Sequence, residues 1–214
     1  MISIHSFVFN PFAENTYIVS DETRECAIID PGCYTDVEQK QLQDYISEQN
    51  LKPVLLINTH GHIDHVLGNF FVQKTFDLGL SIHKVEVPTL KSVVTYAPSY
   101  GFAEYSDVEP EFYLSENKSV KFGNSSFEVL FVPGHSEGHI ALINRAQNIC
   151  ISGDVLFESS IGRTDLPGGD FDTLIQSIRT KLFALPDNMV VYPGHGPTTT
   201  IGKEKTTNPF CAVV

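Results

Sequence analysis

Short apolar segments that lead into histidine or aspartate recur along this chain, and this recurrence constrains its fold more than any other feature. The first runs from Val54 to Ile57 and leads into Thr59-His60-Gly61-His62-Ile63-Asp64-His65. Similar segments lead into His135, Asp154 and His195. A short apolar run rich in branched residues predicts a buried strand, and open α/β sheets collect ligands at the carboxyl ends of their strands. These loops are therefore expected to supply one site.

Metal binding is the chemistry that these loop residues favour. The candidate ligands are His60, His62, Asp64, His65, His135, Asp154 and His195. Imidazole and carboxylate groups bind zinc and related metals, and a tetrahedral catalytic zinc takes about three protein ligands and a water. This set exceeds the need of one ion and suits two. Asp154 is the expected bridge, because a carboxylate can bind two ions and a neutral imidazole cannot.

A two-metal site predicts hydrolysis. Such a site holds its ions about 3.5–4 Å apart and lowers the pKa of bound water from about 15.7 towards about 7. The metal-bridging hydroxide is expected to attack a carbonyl or related electrophile, and the ions stabilise the oxyanion that develops. Asp64 is placed to steer or carry the proton. Asp64 and Asp154 are therefore the candidate catalytic residues.

Length and composition predict one domain over residues 1–214. The chain has 42% hydrophobic and 19% charged residues, which is ordinary for a globular protein with a sizeable core. No stretch approaches the roughly 20 apolar residues of a membrane span, and the N-terminus lacks a basic region followed by an apolar run. The four cysteines show no metal-binding spacing, so reduced thiols and a cytoplasmic location are expected.

Charge limits the class of partner. Lys and Arg total 14 and Asp and Glu total 26, which gives a net charge of −12. A chain this acidic is not expected to bind nucleic acid, and no membrane partner is predicted. A small-molecule substrate is expected, and it can be anionic because bound divalent ions reverse the local field. The sequence does not predict the oligomeric state.

Local patterns predict an alternation of strands and helices. Strands are predicted over residues 2–9, 15–19, 26–29, 54–57, 80–83, 119–122, 127–132, 140–143, 149–152 and 189–192. Helices are predicted from the capping box Thr35-Asp36-Val37-Glu38 to Asn50, and over residues 71–78, 86–94 and 172–183. Asp30 is interpreted as a turn residue in preference to a partner of the ligands. Both halves repeat one plan, which predicts two mixed sheets packed together with helices outside.

Four motifs resemble the metal motifs of the metallo-β-lactamase superfamily. They are Thr-His-Gly-His-Ile-Asp-His at 59–65, Pro-Gly-His-Ser-Glu-Gly-His at 133–139, Ser-Gly-Asp at 152–154 and Pro-Gly-His-Gly at 193–196. The resemblance covers nearly the whole chain and implies an α/β fold, a four-layer αββα sandwich of two mixed β-sheets with outer helices. It implies a first ion held by His60, His62 and His135, a second held by Asp64, His65 and His195, and Asp154 as bridge. Two divalent ions are expected, zinc first, with iron or manganese as alternatives.

Two further segments narrow the resemblance. Gly162-Arg163-Thr164-Asp165-Leu166 and Gly-Lys-Glu-Lys-Thr-Thr-Asn-Pro-Phe at 202–210 resemble the short glyoxalase II-like hydrolases, which are related to hydroxyacylglutathione hydrolase. Such enzymes cleave thioesters such as S-lactoylglutathione, so thioester hydrolysis is expected. The full-length enzyme has an additional C-terminal helical region that helps to hold glutathione, and this chain ends at Val214 without it. Asp154 stands where the main subclass of zinc β-lactamases carries cysteine, so antibiotic hydrolysis in the periplasm is not expected.

Two other functions stay open beside the leading one. A persulfide dioxygenase of the same fold, with one iron, keeps the same His/Asp motifs and a Gly-Arg-Thr-Asp segment, so the ligands alone do not separate it from a hydrolase. A metal-stabilised scaffold is disfavoured, because structural zinc sites are closed by about four ligands. His139 is expected to support the site without binding metal. Arg163 is expected to pair with Asp165, the alternative being a substrate carboxylate.

The segments expected to select the substrate lie outside the ligand loops. Residues 95–113 are predicted to be irregular and are rich in aromatic residues. Long loops of this kind often cover binding sites, and a packed connecting segment is the alternative. Lys203 and Lys205 are interpreted as solvated lysines in preference to contacts with an anionic substrate.

Overall fold

The computed structural model describes residues 1–116 and 118–213. These residues form two compact units. The first consists of residues 1–114 with 121–126, and the second of residues 115–120 with the chain from 127 onwards. The expectation of one domain over residues 1–214 stays a prediction.

A six-stranded mixed sheet forms the centre of the first unit. Its strands are β1 (Ser3–Phe9), β2 (Glu14–Ser20), β3 (Glu25–Ile29), β4 (Lys52–Ile57), β5 (Leu80–His83) and β6 (Pro110–Leu114), in that spatial order. The first three strands pair antiparallel, and β3 to β6 pair parallel. Parallel pairing brings the carboxyl ends of β3 and β4 to the same edge, and the residues that follow them are Asp30 and the loop to His60.

Four helices accompany this sheet. They are α1 (Asp36–Glu48), α2 (Ile63–Val66), α3 (Asn69–Phe76) and α4 (Val87–Tyr96), with 3-10 turns at Lys84–Glu86 and Ala97–Tyr100. The predicted capping box opens α1: Thr35 Oγ1 accepts from the Glu38 N–H at 3.3 Å, and Glu38 Oε2 accepts from the Thr35 N–H at 2.9 Å. The helix ends at Glu48 and its C-cap is Gln49, one residue before the predicted cap, because Asn50 adopts a left-handed conformation with φ 51°.

The second unit is built on another six-stranded mixed sheet. The remaining strands are β7 (Ser119–Phe122), β8 (Ser125–Phe131), β9 (Ile140–Asn144), β10 (Ile149–Gly153), β11 (Leu156–Phe157), β12 (Ser160–Ile161), β13 (Val190–Pro193) and β14 (Thr199–Thr200). The sheet order is β14-β13-β10-β9-β8-β7, and β11 pairs with β12 separately. The helices are α5 (Phe171–Ser177), which continues as a π-helical turn over Ile178–Leu182, and α6 (Ile201–Thr207). β10 and β13 run parallel, so Asp154 and His195 follow neighbouring strand ends.

Each unit has its own buried apolar cluster. In the first, Ile28 and Leu56 from the sheet pack with Leu42 and Val66 from helices. In the second, the cluster members include Ile143, Cys150, Leu174 and Val191. The ligand loops therefore leave strands that are held by packed cores, which gives the loops fixed starting points.

Three sequence expectations about elements need correction. Residues 110–114 are an edge strand, although the segment was expected to be irregular. Pro110 reads as a breaker in sequence, but proline is tolerated at the start of an edge strand because no ladder bond is lost there. Asp64 and His65 lie in the short helix α2, although they were expected in the loop that follows the strand. Residues 201–207 form α6, for which no helix was expected.

The four cysteines are free and fully buried. Burial raises the pKa of Cys26, Cys150 and Cys211 to about 12 and also raises that of Cys33. Within residues 1–116 and 118–213, no helix is long and apolar enough to cross a membrane.

Candidate metal centre

The segment from Thr59 to His65, called the metal loop below, carries four of the predicted ligands. The centroid of the His60 ring lies 4.8 Å from that of His62 and 4.2 Å from that of His65. All three imidazoles are buried, whereas the Asp64 side chain is 14% exposed. The first unit therefore gathers three predicted ligands, with Asp64 as the most accessible group of the loop.

Asp30 fixes the start of the metal loop and one of its imidazoles. Its Oδ1 accepts from the Thr59 N–H at 2.7 Å, and its Oδ2 accepts from Thr59 Oγ1 at 2.6 Å. The same Oδ2 lies 3.2 Å from His65 Nδ1. Asp30 also has a left-handed backbone with φ 49°, so it is both the expected turn residue and the partner of a ligand. The turn interpretation is confirmed, and the contact with a predicted ligand, which was ranked second, is present as well.

Two imidazoles of the metal loop are held through Nδ1 by polar groups of the chain. Nδ1 of His60 lies 3.1 Å from Thr59 Oγ1, and Nδ1 of His65 faces Asp30. Nε2 of His65 lies 3.7 Å from Asp64 Oδ2. Metal-binding histidines have this arrangement, in which the second ring nitrogen is held by a carboxylate or hydroxyl and sets the tautomer.

Side-chain amides of three asparagines hold the main chain around α2. Asn58 Nδ2 donates to the His65 carbonyl at 3.0 Å, and Asn69 Nδ2 donates to Asn58 Oδ1 at 2.7 Å. Asn10 Nδ2 donates to the Asp64 carbonyl at 2.9 Å. These three asparagines were not singled out from the sequence, because each acts on a residue brought near only by folding.

In the second unit, Asp154 lies between two predicted ligands. Its Oδ2 is 3.6 Å from His135 Nε2 and 3.4 Å from His195 Nε2. His135 Nδ1 faces the Arg163 carbonyl at 2.7 Å, so this ring is also held through Nδ1. His195 is the most open of the three, with 26% of its side chain exposed.

The support for Asp154 comes from its own main chain. The Asp154 N–H donates to His139 Nε2 at 3.1 Å, which places His139 behind the carboxylate, as expected. The turn before it needs glycine, because Gly153 has φ 50°. The Gly194 N–H donates to the Gly153 carbonyl at 2.9 Å, which ties together the ends of β10 and β13.

These distances fit a metal ion. Two donors bound to one zinc at about 2.0–2.1 Å and the tetrahedral angle lie roughly 3.4 Å apart. The imidazole–carboxylate separations are 3.7 Å in the first unit and 3.6 Å and 3.4 Å in the second. They lie at or beyond the outer limit of a hydrogen bond, which prefers about 2.7–3.2 Å. In each unit the donor set suits a divalent ion of the zinc type.

The segment after β12 is fixed by an ion pair. Arg163 Nε and Nη2 each donate to an oxygen of Asp165 at 2.7 Å, and both side chains are exposed. The Arg163 bond is the main reason that the pKa of Asp165 falls to about 2. Because the Arg163 carbonyl meets His135, this pair holds the loop that orients a predicted ligand, and the preferred interpretation of Arg163 is confirmed.

The C-terminal segment that resembles short glyoxalase II-like hydrolases is held by Glu204. This fully buried carboxylate accepts from the Ser159 N–H at 2.9 Å, Thr199 Oγ1 at 2.5 Å and Asn208 Nδ2 at 2.8 Å. Lys203 pairs with Glu158 at 2.5 Å, and Lys205 lies 3.4 Å from Asp187. Each lysine therefore pairs with a carboxylate of the chain, and both side chains keep solvent exposure, 45% for Lys203 and 35% for Lys205.

Some aromatic side chains of residues 95–113 pack in the core of the first unit, and others are exposed to solvent. Phe102 is buried in the core of the first unit, and Tyr105 packs against that core. Tyr100 is 58% exposed, and its ring lies 5.8 Å from that of Tyr96 and 6.2 Å from that of Phe12. An accessible aromatic surface is present here, and its use as a substrate wall stays a prediction.

Comparisons with known proteins identify the family. The Metallo-beta-lactamase superfamily profile matches residues 9–195. The chain is 37% identical over 201 residues to hydroxyacylglutathione hydrolase GloC of Haemophilus influenzae, covering 93% of each. It is 36% identical to the probable metallo-hydrolase YqgX of Bacillus subtilis, over 94% of this chain and 93% of the relative.

Solved structures of the same fold also match this chain. The BLEG-1 B3 metallo-beta-lactamase matches with a TM-score of 0.89 and 33% identity, covering 99% of this chain and 100% of the other. The di-iron-bound form of TTHA1623 matches with a TM-score of 0.85 and 35% identity, covering 96% of this chain and 99% of the other. ETHE1 from Myxococcus xanthus matches with a TM-score of 0.80 and 25% identity, covering 98% of this chain and 84% of the other. The predicted fold class is confirmed, and the chain belongs to the metallo-β-lactamase superfamily.

Proposed function

We propose that this protein is a dinuclear metal-dependent hydrolase of thioesters. The observation that carries the proposal is the orientation of its histidines. His65 and His135 are held through Nδ1 and direct Nε2 towards a carboxylate oxygen, at 3.7 Å from Asp64 and 3.6 Å from Asp154. The 37% identity to a protein named hydroxyacylglutathione hydrolase supports the thioester as substrate class.

The ligand assignment follows the family pattern. Its first ion takes His60, His62 and His135, its second takes Asp64, His65 and His195, and Asp154 bridges the two. The donor geometry within each unit supports this scheme, because the three separations between a predicted imidazole ligand and a predicted carboxylate ligand suit a shared ion. Zinc is the first choice of metal, and the di-iron form of a 35% identical structure supports iron as an alternative.

The chain's own residues then account for the proton balance. When bound, divalent ions activate a water near neutral pH and polarise the substrate carbonyl. Asp64, the accessible carboxylate of the metal loop, takes a proton from the attacking water and passes it to the departing thiolate. The water oxygen forms the new C–O bond and the C–S bond breaks. The thiolate takes the proton carried by Asp64, the second proton of the water is released to solvent, and the products are a carboxylate and a thiol. Asp30, which holds His65 through Nδ1, keeps that imidazole in place throughout.

A persulfide dioxygenase with one iron is the second candidate. The observation that favours it is the match to ETHE1 with a TM-score of 0.80 over 98% of this chain. It would use the same His/Asp donors, so the residues near the metal loop do not distinguish the two reactions. Metal content and dioxygen consumption do.

The deciding experiment is metal analysis of protein purified without chelators, together with a substrate panel. The panel holds S-lactoylglutathione, a thioester of a different thiol, glutathione persulfide with an oxygen electrode, and a β-lactam, since one similar structure is titled a B3 metallo-beta-lactamase. We expect two metal ions per chain and thiol release from thioesters. One iron per chain with dioxygen consumption, and no thioester cleavage, would replace the proposal by the dioxygenase. The predicted small-molecule substrate and cytoplasmic location are tested by this panel and by cell fractionation.

A further inference from the structure

The start of α4 holds a buried carboxylate that the proposed reaction does not use. Glu86 is the last residue of the 3-10 turn Lys84–Glu86, and it is fully buried. Burying a carboxylate is costly unless polar groups receive it, so a buried glutamate calls for a specific partner. Its sequence neighbours, Val85 and Val87, are apolar and contain no ligand motif.

The partner is the main chain of the metal loop. The Gly61 N–H donates to Glu86 Oε2 at 2.8 Å. Gly61 lies between His60 and His62, the two ligands assigned to the first ion. A buried N–H that loses its acceptor is left unsatisfied, which is costly, so this bond persists in the folded chain. The bond therefore restrains the peptide that joins the two ligands.

The backbone of α4 packs on the same glycine. A Cβ built on Gly61 would lie 2.7 Å from the Leu90 nitrogen and 3.1 Å from the Leu90 Cα. No side chain fits in that space without moving the helix. Gly61 is therefore held from one side by the Glu86 carboxylate and from another by the main chain of α4.

The far end of α4 reaches the metal loop again. The hydroxyl oxygen of Tyr96, the last residue of the helix, faces the main-chain N–H of Ile63. Ile63 is the first residue of α2, whose opening N–H groups receive no side-chain cap from His62. Helix α4 thus contacts the main chain on both sides of His62, through Glu86 before it and Tyr96 after it.

We propose that Glu86 is a positioning residue for the first metal ion, which it serves by holding Gly61 and hence the spacing of His60 and His62. The proposal rests on the proposed metal centre. Residues that orient metal ligands typically change metal affinity by about 10–100-fold when they are removed. We expect Glu86→Ala to weaken the tighter-binding zinc by about this factor, and Glu86→Gln to weaken it less, because the amide is a neutral acceptor of the same size.

The test compares metal-free wild-type protein with both variants. Zinc affinity is measured by competition with a chromophoric chelator, and cobalt(II) is added to record the visible absorption that reports ligand geometry. Glu204→Gln is the matched control, since Glu204 is the fully buried glutamate of α6 and its carboxylate bonds to Ser159, Thr199 and Asn208, none of which is a predicted ligand. It is expected to lower thermal stability while leaving the zinc affinity and the cobalt spectrum unchanged.

The outcomes separate the two proposals. Wild-type protein that binds no metal would overturn the proposed function itself. Wild-type protein that binds metal, with unchanged zinc affinity and cobalt spectrum in folded Glu86→Ala, would overturn the role of Glu86 alone. If Glu86→Ala does not fold, the same decision is made on Glu86→Gln, whose side chain keeps the volume and an acceptor.

Discussion

Gly162 is the position at which one added methyl group tests the ligand geometry of the second unit. A Cβ built there would overlap the Asp154 carbonyl oxygen and lie 3.0 Å from its carbonyl carbon and 3.1 Å from His135 Nδ1. The carbonyl must move by roughly 1 Å to regain ordinary contact distances. Misplacing a catalytic group by about 1 Å costs roughly 100-fold in rate. We therefore expect Gly162→Ala to lower kcat by about 100-fold, with a loss of about 1–3 kcal/mol in the free energy of unfolding.

The assay is thiol release from a thioester, with urea unfolding followed on the same samples. Gly79→Ala is the matched control, because its Cβ meets the ends of Glu111 and Phe112, which are exposed and can swing away. That variant is expected to keep the wild-type kcat. A folded Gly162→Ala protein with wild-type kcat would refute the argument that the Asp154 backbone position limits the rate.

Three further predictions follow from buried carboxylates. Asp30→Asn removes the charge that holds His65, so chelator competition should show zinc binding weakened by about 10–100-fold, and unchanged affinity would contradict this. Burial would raise the pKa of Asp21, but hydrogen bonds from Thr23 and others outweigh it and lower the value from 3.8 to about 2. The folded pKa lies below the unfolded one, so this group stabilises above about pH 4 and loses roughly 2 kcal/mol as the pH falls towards about 2. The free energy of unfolding should therefore fall less steeply with decreasing pH in Asp21→Asn than in the wild type. An identical pH dependence below about pH 4 would contradict the assignment. Glu204→Ala strands two buried donors, on Thr199 and Asn208, and should lower the free energy of unfolding by about 2 kcal/mol or more in urea titrations, whereas a loss below about 1 kcal/mol would show that water replaces the carboxylate.

The parts of the fold that the sequence predicted well are those that local patterns determine. The capping box at Thr35 and Glu38 involves two residues three positions apart, and it forms as expected. Strand β5 is found over Leu80–His83 with the predicted bounds. The strand-end ligands were recognisable for the same reason, since a strand that ends in histidine is visible within a few residues.

The supporting groups were not predictable, because their partners are distant in the chain. Asp30 lies 35 positions from His65, and Glu86 lies 25 positions from Gly61. In sequence, Asp30 has the pattern of a turn and Glu86 that of a helix start. Which ligand each one serves depends on the parallel pairing of strands and on the packing of α4, and neither is encoded within a short window.

The buried cysteines have a consequence for a protein proposed to release thiols. Each cleavage of a thioester would release a thiol near the chain, and the disulfide that forms when this thiol is oxidised exchanges with accessible thiolates. All four cysteine side chains are fully buried, and burial raises the pKa of each. The folded protein therefore offers no reactive sulfur to its own product, so mixed disulfides should not accumulate on it as product builds up under oxidising conditions.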